Sequence, residues 1–119
     1  MRYILLIYNN MAEIQGLPDD ERNAIFGDVE RIMDELKERG EIVGFGGLAD
    51  VSNTKTVRVR DGVPAVTDGP FIESKEQLGG YLIVECDEER AVQIAAQWPD
   101  AKLWALEVRP MMASSGDEM

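Results

Sequence analysis

The chain has 119 residues, one cysteine, no histidine and a formal net charge of -11 at pH 7. This length fits a single domain with one core. The acidic balance disfavours partners that present phosphate groups, so we expect no direct binding to nucleic acid or membrane surfaces. The absence of histidine excludes Ser-His-Asp and Cys-His catalytic groups and the common zinc sites. One cysteine permits no intrachain disulfide, and we expect a cytoplasmic protein without metal or cofactor.

Apolar spacing and turn residues predict the elements in chain order. An almost continuous apolar run at the start is typical of a central strand buried on both faces. Pro18 and the acidic pair after it predict a helix start, and apolar residues then recur at helical spacing. Asp61-Gly62 is a strong hairpin turn. The predicted order is a strand at 2–8, a loop at 9–18, a helix ending near Gly40, a strand at 41–45, a hairpin from strands 54–60 and 63–67, a strand at 81–86, a helix capped by Asp87, and a strand at 103–108.

With the hairpin set aside, this order is the split βαβ pattern of a ferredoxin-like α+β sandwich. We expect one antiparallel sheet with two helices on one face and the β-hairpin as an insertion. No third helix is predicted to cover the opposite face of the sheet. A second subunit is the expected cover, which gives a homodimer through the open sheet face, of the dimeric α/β barrel type.

The segment between the hairpin and the next strand is long and chemically mixed for a plain connection between strands. Asp68-Gly69-Pro70 is first of all a turn. The alternative, functional interpretation is that the turn holds the Asp68 carboxylate at the mouth of a pocket, with Phe71 as its apolar wall. Desolvation in such a pocket would make this carboxylate a proton acceptor.

Four further residues are candidates for ligand contacts. Lys75 pairs either with an anionic ligand or with Asp68, and the Tyr81 hydroxyl either contacts the ligand or points to water. Arg58 lies on a two-arginine strand face that would receive a carboxylate ligand or pair with local acidic residues. Gly46 lies in a Gly-x-Gly-x-x-Ala pattern without the following helix of a dinucleotide site. Its glycines either permit close strand approach or leave room for a ligand.

Several motifs together resemble a known family. They include Thr56-Val57-Arg58-Val59-Arg60-Asp61-Gly62, Asp68-Gly69-Pro70-Phe71 with the following Lys75-Glu76-Gln77-Leu78-Gly79-Gly80-Tyr81, and Leu106-Glu107-Val108-Arg109-Pro110. In these motifs the chain is similar to the DGPF branch of the YCII-related domain proteins. The resemblance covers one domain at 1–111 and implies a dimeric ferredoxin-like fold. Beyond it we expect an acidic, disordered tail at 112–119.

The resemblance also bears on function. Members of the wider superfamily resemble enzymes through a histidine-aspartate pair, which this chain cannot form because it has no histidine. Relatives of the DGPF branch occur joined to, or encoded beside, sigma factors of the extracytoplasmic-function type. By similarity, this implies a regulatory role in transcription that acts through protein contacts.

The sequence supports three hypotheses. The first is a small-molecule-binding protein with its ligand in a cleft between the sheet and the Asp68–Phe71 loop. Its predicted contacts are Asp68, Phe71, Lys75, Tyr81, Arg58 and Gly46. The second is a histidine-free isomerase or lyase, with Asp68 as base and Tyr81 or Lys75 as acid. The third is an interaction module that regulates a sigma factor or another basic protein.

Overall fold

The computed structural model describes residues 1–113, and the prediction of an α+β fold with an antiparallel sheet is confirmed. The strands are β1 (Arg2–Asn9), β2 (Ile42–Gly47), β3 (Lys55–Arg60), β4 (Val63–Asp68), β5 (Gln77–Glu85) and β6 (Ala105–Pro110). The helices are α1 (Met11–Gln15), α2 (Asp19–Glu38), α3 (Glu88–Gln97) and α4 (Asp100–Leu103), with a 3₁₀ turn at Val51–Asn53. Most of the tail predicted at 112–119 lies outside the described residues.

The main sheet has four strands in the order β2-β5-β1-β6, and every neighbouring pair is antiparallel. Once β3 and β4 are set aside, this is the strand order of a split βαβ unit, consistent with a ferredoxin-like fold. Strand β1 lies between β5 and β6, and its last residue, Asn9, lies opposite Gln77 of β5.

The first strand differs from its prediction. Tyr3, Leu5 and Ile7 are buried, whereas Ile4 and Leu6 on the opposite face are only half-buried. The reason is that the helices pack on one face of the sheet. The continuous apolar run therefore supplies one covered face and one open face, rather than two covered faces.

The two long helices begin as predicted. Helix α2 begins after Pro18 and carries three acidic residues in its first turn, where they complement the helix dipole. Helix α3 begins after Asp87, whose carboxylate accepts a hydrogen bond from the Arg90 amide at 2.8 Å. Both helices bury apolar side chains against the covered face of the sheet. The largest fully buried side chains are Leu5, Ile32, Leu36, Leu82, Ile94 and Val84.

Other boundaries differ from the predictions. The loop expected at 9–18 contains α1, because the Asn10 side chain accepts a hydrogen bond from the Glu13 amide at 3.1 Å and caps this short helix. The last strand begins at Ala105 rather than at 103, because the chain after Pro99 forms α4. Strand β5 begins at Gln77 rather than at 81, so the connection after β4 spans only 69–76.

Strands β3 and β4 form a separate two-stranded sheet, which we call the arm (residues 55–68). Asp61 and Gly62 form its turn with positive φ angles of 53° and 76°, as the hairpin signal predicts. All arm residues except Thr56 are exposed. The radius of gyration is 16.4 Å, whereas about 13.5 Å is expected for a globular chain of this length. The arm therefore projects from the body of the protein.

Within residues 1–113, no helix has the length and apolar character needed to cross a membrane.

Candidate functional site

Asn9 and Asp100 form a buried polar pair at the end of β1. The Asn9 side-chain nitrogen donates a hydrogen bond to Asp100 Oδ2 at 2.9 Å. Asp100 is the first residue of α4 and is only 6% exposed. Buried carboxyl groups are uncommon in proteins because removing them from water is costly. This pair is therefore the first feature of the fold that calls for a functional explanation.

A cavity of about 330 Å³ adjoins this pair. It lies between α1, α2 and the end of the sheet where β2 and β5 run side by side, and we call it the Asp100 cavity. Its lining is mostly apolar and includes Met33, Phe45 and Trp98. Asn9 and Asp100 contribute polar side chains to it, whereas Tyr81, which also borders the cavity, pairs with Leu6 of the open face. The site combines an apolar enclosure with a few polar groups, as small-molecule sites do.

Glycines on β5 make room for this arrangement. A Cβ atom at Gly79 would lie 2.6 Å from the side-chain nitrogen and oxygen of Asn9. A Cβ atom at Gly80 would lie 2.8 Å from the backbone oxygen of Gly46 on the neighbouring strand. Such distances are too short for real contacts, so a side chain at Gly79 would displace Asn9 and break its hydrogen bond to Asp100.

The carboxyl of Asp100 is electrostatically unusual. Burial raises its pKa above the ordinary aspartate value, and the hydrogen bond from Asn9 offsets part of that effect. A carboxyl of this kind accepts a hydrogen bond from a ligand when ionised and donates one when protonated. Titratable groups with raised pKa values beside a cavity are candidates for proton transfer.

The short helix α1 closes one side of the Asp100 cavity with Met11 and Ile14. Ile14 is buried, which packs the helix onto the body of the protein. The Trp104 Nε1 group donates a hydrogen bond to Glu13 Oε2 at 3.1 Å and ties α1 to the segment that carries Asp100. Two of the segments that line the cavity are thus joined although Glu13 and Trp104 are 91 residues apart in sequence.

Asp68, the first of the predicted site residues, lies at the base of the arm. Its carboxylate forms an ion pair with Lys55 on the neighbouring strand, and its side chain is 83% exposed. The partner of Asp68 is therefore Lys55 and not Lys75. The Asp68 carboxylate faces solvent rather than an enclosed pocket.

Phe71 and Arg58 contact each other near the same point. The Arg58 guanidinium lies 5.0 Å from the centre of the Phe71 ring, a cation–π contact. Phe71, Tyr8 and Thr56 are among the residues that line an open cleft of about 540 Å³, which we call the DGPF cleft. This cleft joins the base of the arm to the open face of the sheet.

The other predicted residues lie elsewhere. Gly46 and Tyr81 line the Asp100 cavity, and a Cβ atom at Gly46 would lie 2.6 Å from the Tyr81 ring. The ring therefore lies directly over the glycine. Lys75 lines a smaller cleft of about 110 Å³ together with Asn9 and Asp50. The structure thus distributes the six predicted residues over three places.

A second buried charged group lies on the far side of the core. Glu41 is buried and accepts two hydrogen bonds from Arg90, both at 2.9 Å. Arg39 adds a contact to Glu41 at 3.0 Å, and Arg90 also reaches Glu35 on α2. The hydrogen bonds from Arg90 lower the pKa of Glu41 despite its burial. This fully paired cluster joins α2, β2 and α3, which indicates a structural role.

Sequence reasoning missed Asn9 and Asp100. Asn9 falls in a predicted loop, and the sequence presents Asp100 only as the neighbour of Trp98 and Pro99. A single aspartate that directly follows Trp-Pro, between two apolar stretches, was the available signal. Nothing in the sequence placed it beside Asn9. Among residues 1–113, no three His, Cys, Asp or Glu side chains come together in a way that could hold a metal ion.

Comparison with known proteins gives a family match and a relative. The model of the YCII-related domain family matches residues 1–114. The chain belongs to this family. It is also 28% identical, over 114 residues, to an uncharacterized protein of Rhizobium meliloti (strain 1021). That alignment covers 93% of this chain and 92% of the relative. The similarity of this YCII-related protein to its relative therefore extends over nearly the whole of both chains.

Proposed function

We propose that the protein binds a small, largely apolar molecule in the Asp100 cavity. The observation that carries this proposal is the buried Asn9–Asp100 pair at the wall of an apolar cavity of about 330 Å³. Burial of a carboxyl costs folding free energy, and this cost favours a functional role for Asp100. The volume lies at the lower end of the range of about 300–1,000 Å³ that is typical of small-molecule sites.

The lining defines the class of ligand. An ionised Asp100 favours a hydroxyl or amine group that donates a hydrogen bond, and it disfavours anions. Phe45, Trp98 and Met33 favour a ring or a short branched hydrocarbon for the remainder. Phenols, cyclic alcohols and small amines have this combination of groups.

Thermal unfolding in the presence of a panel of these compounds tests the proposal. A ligand at a hundred times its dissociation constant adds about 2.7 kcal/mol to stability. The Val29→Phe variant fills the cavity, because Val29 lines it from α2. The control is Val92→Phe, the same change at an exposed position of α3 that lies outside the cavity lining.

We expect the stabilisation to be lost in Val29→Phe and kept in Val92→Phe. Asp100→Asn should weaken binding of compounds with a hydroxyl or amine more than binding of the parent hydrocarbons. A ligand that stabilises both phenylalanine variants equally would show that the cavity is not its site. Absence of stabilisation by every compound would argue against the ligand class.

The raised pKa of Asp100 favours a second candidate function, proton transfer within the bound molecule. This retains the hypothesis of a histidine-free isomerase or lyase but places its base at Asp100 instead of Asp68. Compounds that bind can be incubated with the protein in D₂O and followed by NMR for deuterium incorporation. Incorporation that disappears in Asp100→Asn would support catalysis. Binding without incorporation would leave a binding protein.

The proposed form of the protein is a homodimer through the open face of the sheet. Support comes from half-buried apolar residues on that face, such as Ile4 and Leu6 on β1 and Ile83 on β5. Light scattering should give twice the mass of one chain. Leu6→Lys should give the mass of one chain, and Val92→Lys on the helical side should remain dimeric. A wild-type mass of one chain would contradict the proposal.

The Asp68–Phe71 segment is proposed as a second contact region for a ligand, within the DGPF cleft. The cleft supports this by combining Phe71 with a nearby Lys55, which suits an anionic aromatic molecule. Binding of such a compound should be lost in Phe71→Ala and reduced in Lys55→Ala, whereas Asp68→Ala, which frees Lys55 from its ion pair, should strengthen it. Regulation of a sigma factor remains a prediction of the sequence resemblance.

A further inference from the structure

The Asp100 cavity has a buried inner end and an exposed outer end. Asp100 and Trp98 line the inner end, and each is 6% exposed. Phe26 on α2 and Phe45 on β2 line the same cavity but are 56% and 62% exposed. Two exposed aromatic side chains from different elements therefore border the opening of the cavity. We call this opening the phenylalanine mouth (Phe26 and Phe45).

The phenylalanine mouth lies where α2 no longer packs on the sheet. The three residues that α2 buries are all in the second half of the helix. In the first half, Ile25, Phe26 and Val29 line the cavity, and none of them is buried. The apolar side of α2 thus continues past the core, and there it faces the cavity instead of a strand.

Phe45 borders the mouth from the side of the sheet. It lies on the edge strand β2, opposite the buried Leu82 of β5. Residues that are directly opposite in an antiparallel pair lie on the same face of the sheet. Phe45 is therefore on the face that the helices cover, although its own ring is exposed. A molecule in the cavity would remove apolar surface of this ring from water.

The volume of the cavity indicates the size of its ligand. An apolar protein cavity of about 150 Å³ accommodates one benzene molecule. The Asp100 cavity has about 330 Å³. A single ring with its polar group at Asp100 would leave the outer part, next to the phenylalanine mouth, unfilled.

We propose that the ligand is an elongated molecule that has a hydroxyl or amine at one end and an apolar tail at the other. Its polar end lies at Asp100, and its tail extends outward between Phe26 and Phe45. This rests on the proposed function of the Asp100 cavity and adds the direction and the length of the ligand. A ring with a tail of about four carbons opposite the polar group suits the remaining volume. Phe26 and Phe45 then determine specificity for the tail.

The first experiment measures the affinity that the tail contributes. Calorimetry gives the dissociation constants of phenol, para-ethylphenol and para-butylphenol. Each buried methylene should tighten binding by about fourfold, so the wild type should gain about sixteenfold from the ethyl to the butyl compound. In Phe26→Ala this gain should fall to about fourfold or less, because the outer part of the tail then remains in water.

Phe71→Ala is the matched comparison for Phe26→Ala. Phe71 is also an exposed phenylalanine, but it lies in the DGPF cleft and not among the residues that line the Asp100 cavity. In Phe71→Ala the gain from ethyl to butyl should stay at about sixteenfold. Because Phe26 is more than half exposed, its removal should leave the fold intact, which circular dichroism checks.

A second experiment tests the direction of the ligand. In ortho-butylphenol the tail is next to the hydroxyl and would be forced against the buried inner end of the cavity. The para compound should therefore bind at least about tenfold more tightly than the ortho compound. In NMR spectra of bound para-butylphenol, the terminal methyl should show nuclear Overhauser contacts to the rings of Phe26 and Phe45. Equal affinities of the two isomers, or contacts of that methyl to Trp98 instead, would overturn the proposed direction.

The outcomes separate this inference from the proposed function. If phenol binds to the wild type but not to Val29→Phe, and the gain from the tail is unchanged in Phe26→Ala, the cavity is a ligand site and the role of the mouth is overturned. If none of the phenols binds, both are overturned. A gain that falls in Phe71→Ala and not in Phe26→Ala would place the tail in the DGPF cleft and overturn the inference.

Discussion

The side-chain amide of Asn9 holds the carboxyl of Asp100 across 91 positions of sequence, with a nitrogen-to-oxygen distance of 2.9 Å. This contact joins the end of the central strand to the start of α4. It also fixes one wall of the Asp100 cavity. Because the two residues come from opposite ends of the chain, the site forms only when the whole sheet has formed.

The burial of Asp100 makes stability depend on pH. The folded pKa of Asp100 is raised, so the unfolded chain loses this proton first as the pH rises. The contribution of Asp100 to the free energy of unfolding is therefore largest below its unfolded pKa of about 3.9. It decreases as the pH rises through the folded pKa. Asp100→Asn should be more stable relative to wild type at neutral pH than in acid. Urea unfolding at both pH values checks this, and a constant difference would contradict it.

Gly79→Ala should destabilise the protein, because the added Cβ atom lies 2.6 Å from the Asn9 side chain. The expected loss is about 1–3 kcal/mol, as for other overpacked positions. The control is Gly27→Ala on α2, where no atom of residues 1–113 lies within 4 Å of the added atom. That change should stabilise the helix by about 0.5–1 kcal/mol. Chemical denaturation of both variants measures the two changes in the free energy of unfolding. If both changes have the same sign, the Asn9 contact is unimportant.

Gly46 and Tyr81 should behave as a coupled pair. Gly46→Ala brings a Cβ atom to 2.6 Å from the Tyr81 ring and should cost about 1–3 kcal/mol. In a Tyr81→Ala background the same change should cost much less, because the ring is gone. A double-mutant cycle measures the coupling energy. A coupling energy of zero would mean that the Tyr81 ring moves aside freely.

The Glu41–Arg90 pair should dominate the loss of stability in acid. Arg90 lowers the folded pKa of Glu41. The contribution of Glu41 to the free energy of unfolding is therefore present above its unfolded pKa of about 4.3, and it is lost as the pH falls through the folded pKa. Glu41→Gln should cost about 3 kcal/mol or more at neutral pH, because it leaves the Arg90 charge without its main partner. The difference from wild type should shrink in acid, as followed by circular dichroism.

Much of the fold could be predicted because its signals are local. The Asp61-Gly62 turn, the acidic start of α2 and the Asp87 cap each depend on a few neighbouring residues, and each is present. The errors arise where tertiary contacts determine the burial or the secondary structure of a segment. The run in β1 predicts burial on both faces, but the helices cover only one. The sequence after Pro99 predicts a strand from 103, whereas the chain there forms the helical turn that carries Asp100.

The site could be predicted only in part for the same reason. Gly46 and Tyr81 are candidates from the sequence, and both line the Asp100 cavity. Asp68 is a candidate because of its turn, but sequence does not reveal that its carboxylate pairs with Lys55 across the arm. The burial of Asp100 depends on Asn9 and on the packing of α1, and neither leaves a periodic pattern in the sequence.

The close contact of Asn9 with Gly79 also limits how this sequence can diverge. Any side chain at position 79 occupies the space of the amide at position 9. An evolutionary path to a non-glycine residue at 79 must therefore pass through a smaller residue at 9. That residue cannot form the hydrogen bond to the carboxyl at 100. Descendants of this chain should thus change positions 9, 79 and 100 as a set. Such joint change would mark lineages in which the cavity has acquired another use or none.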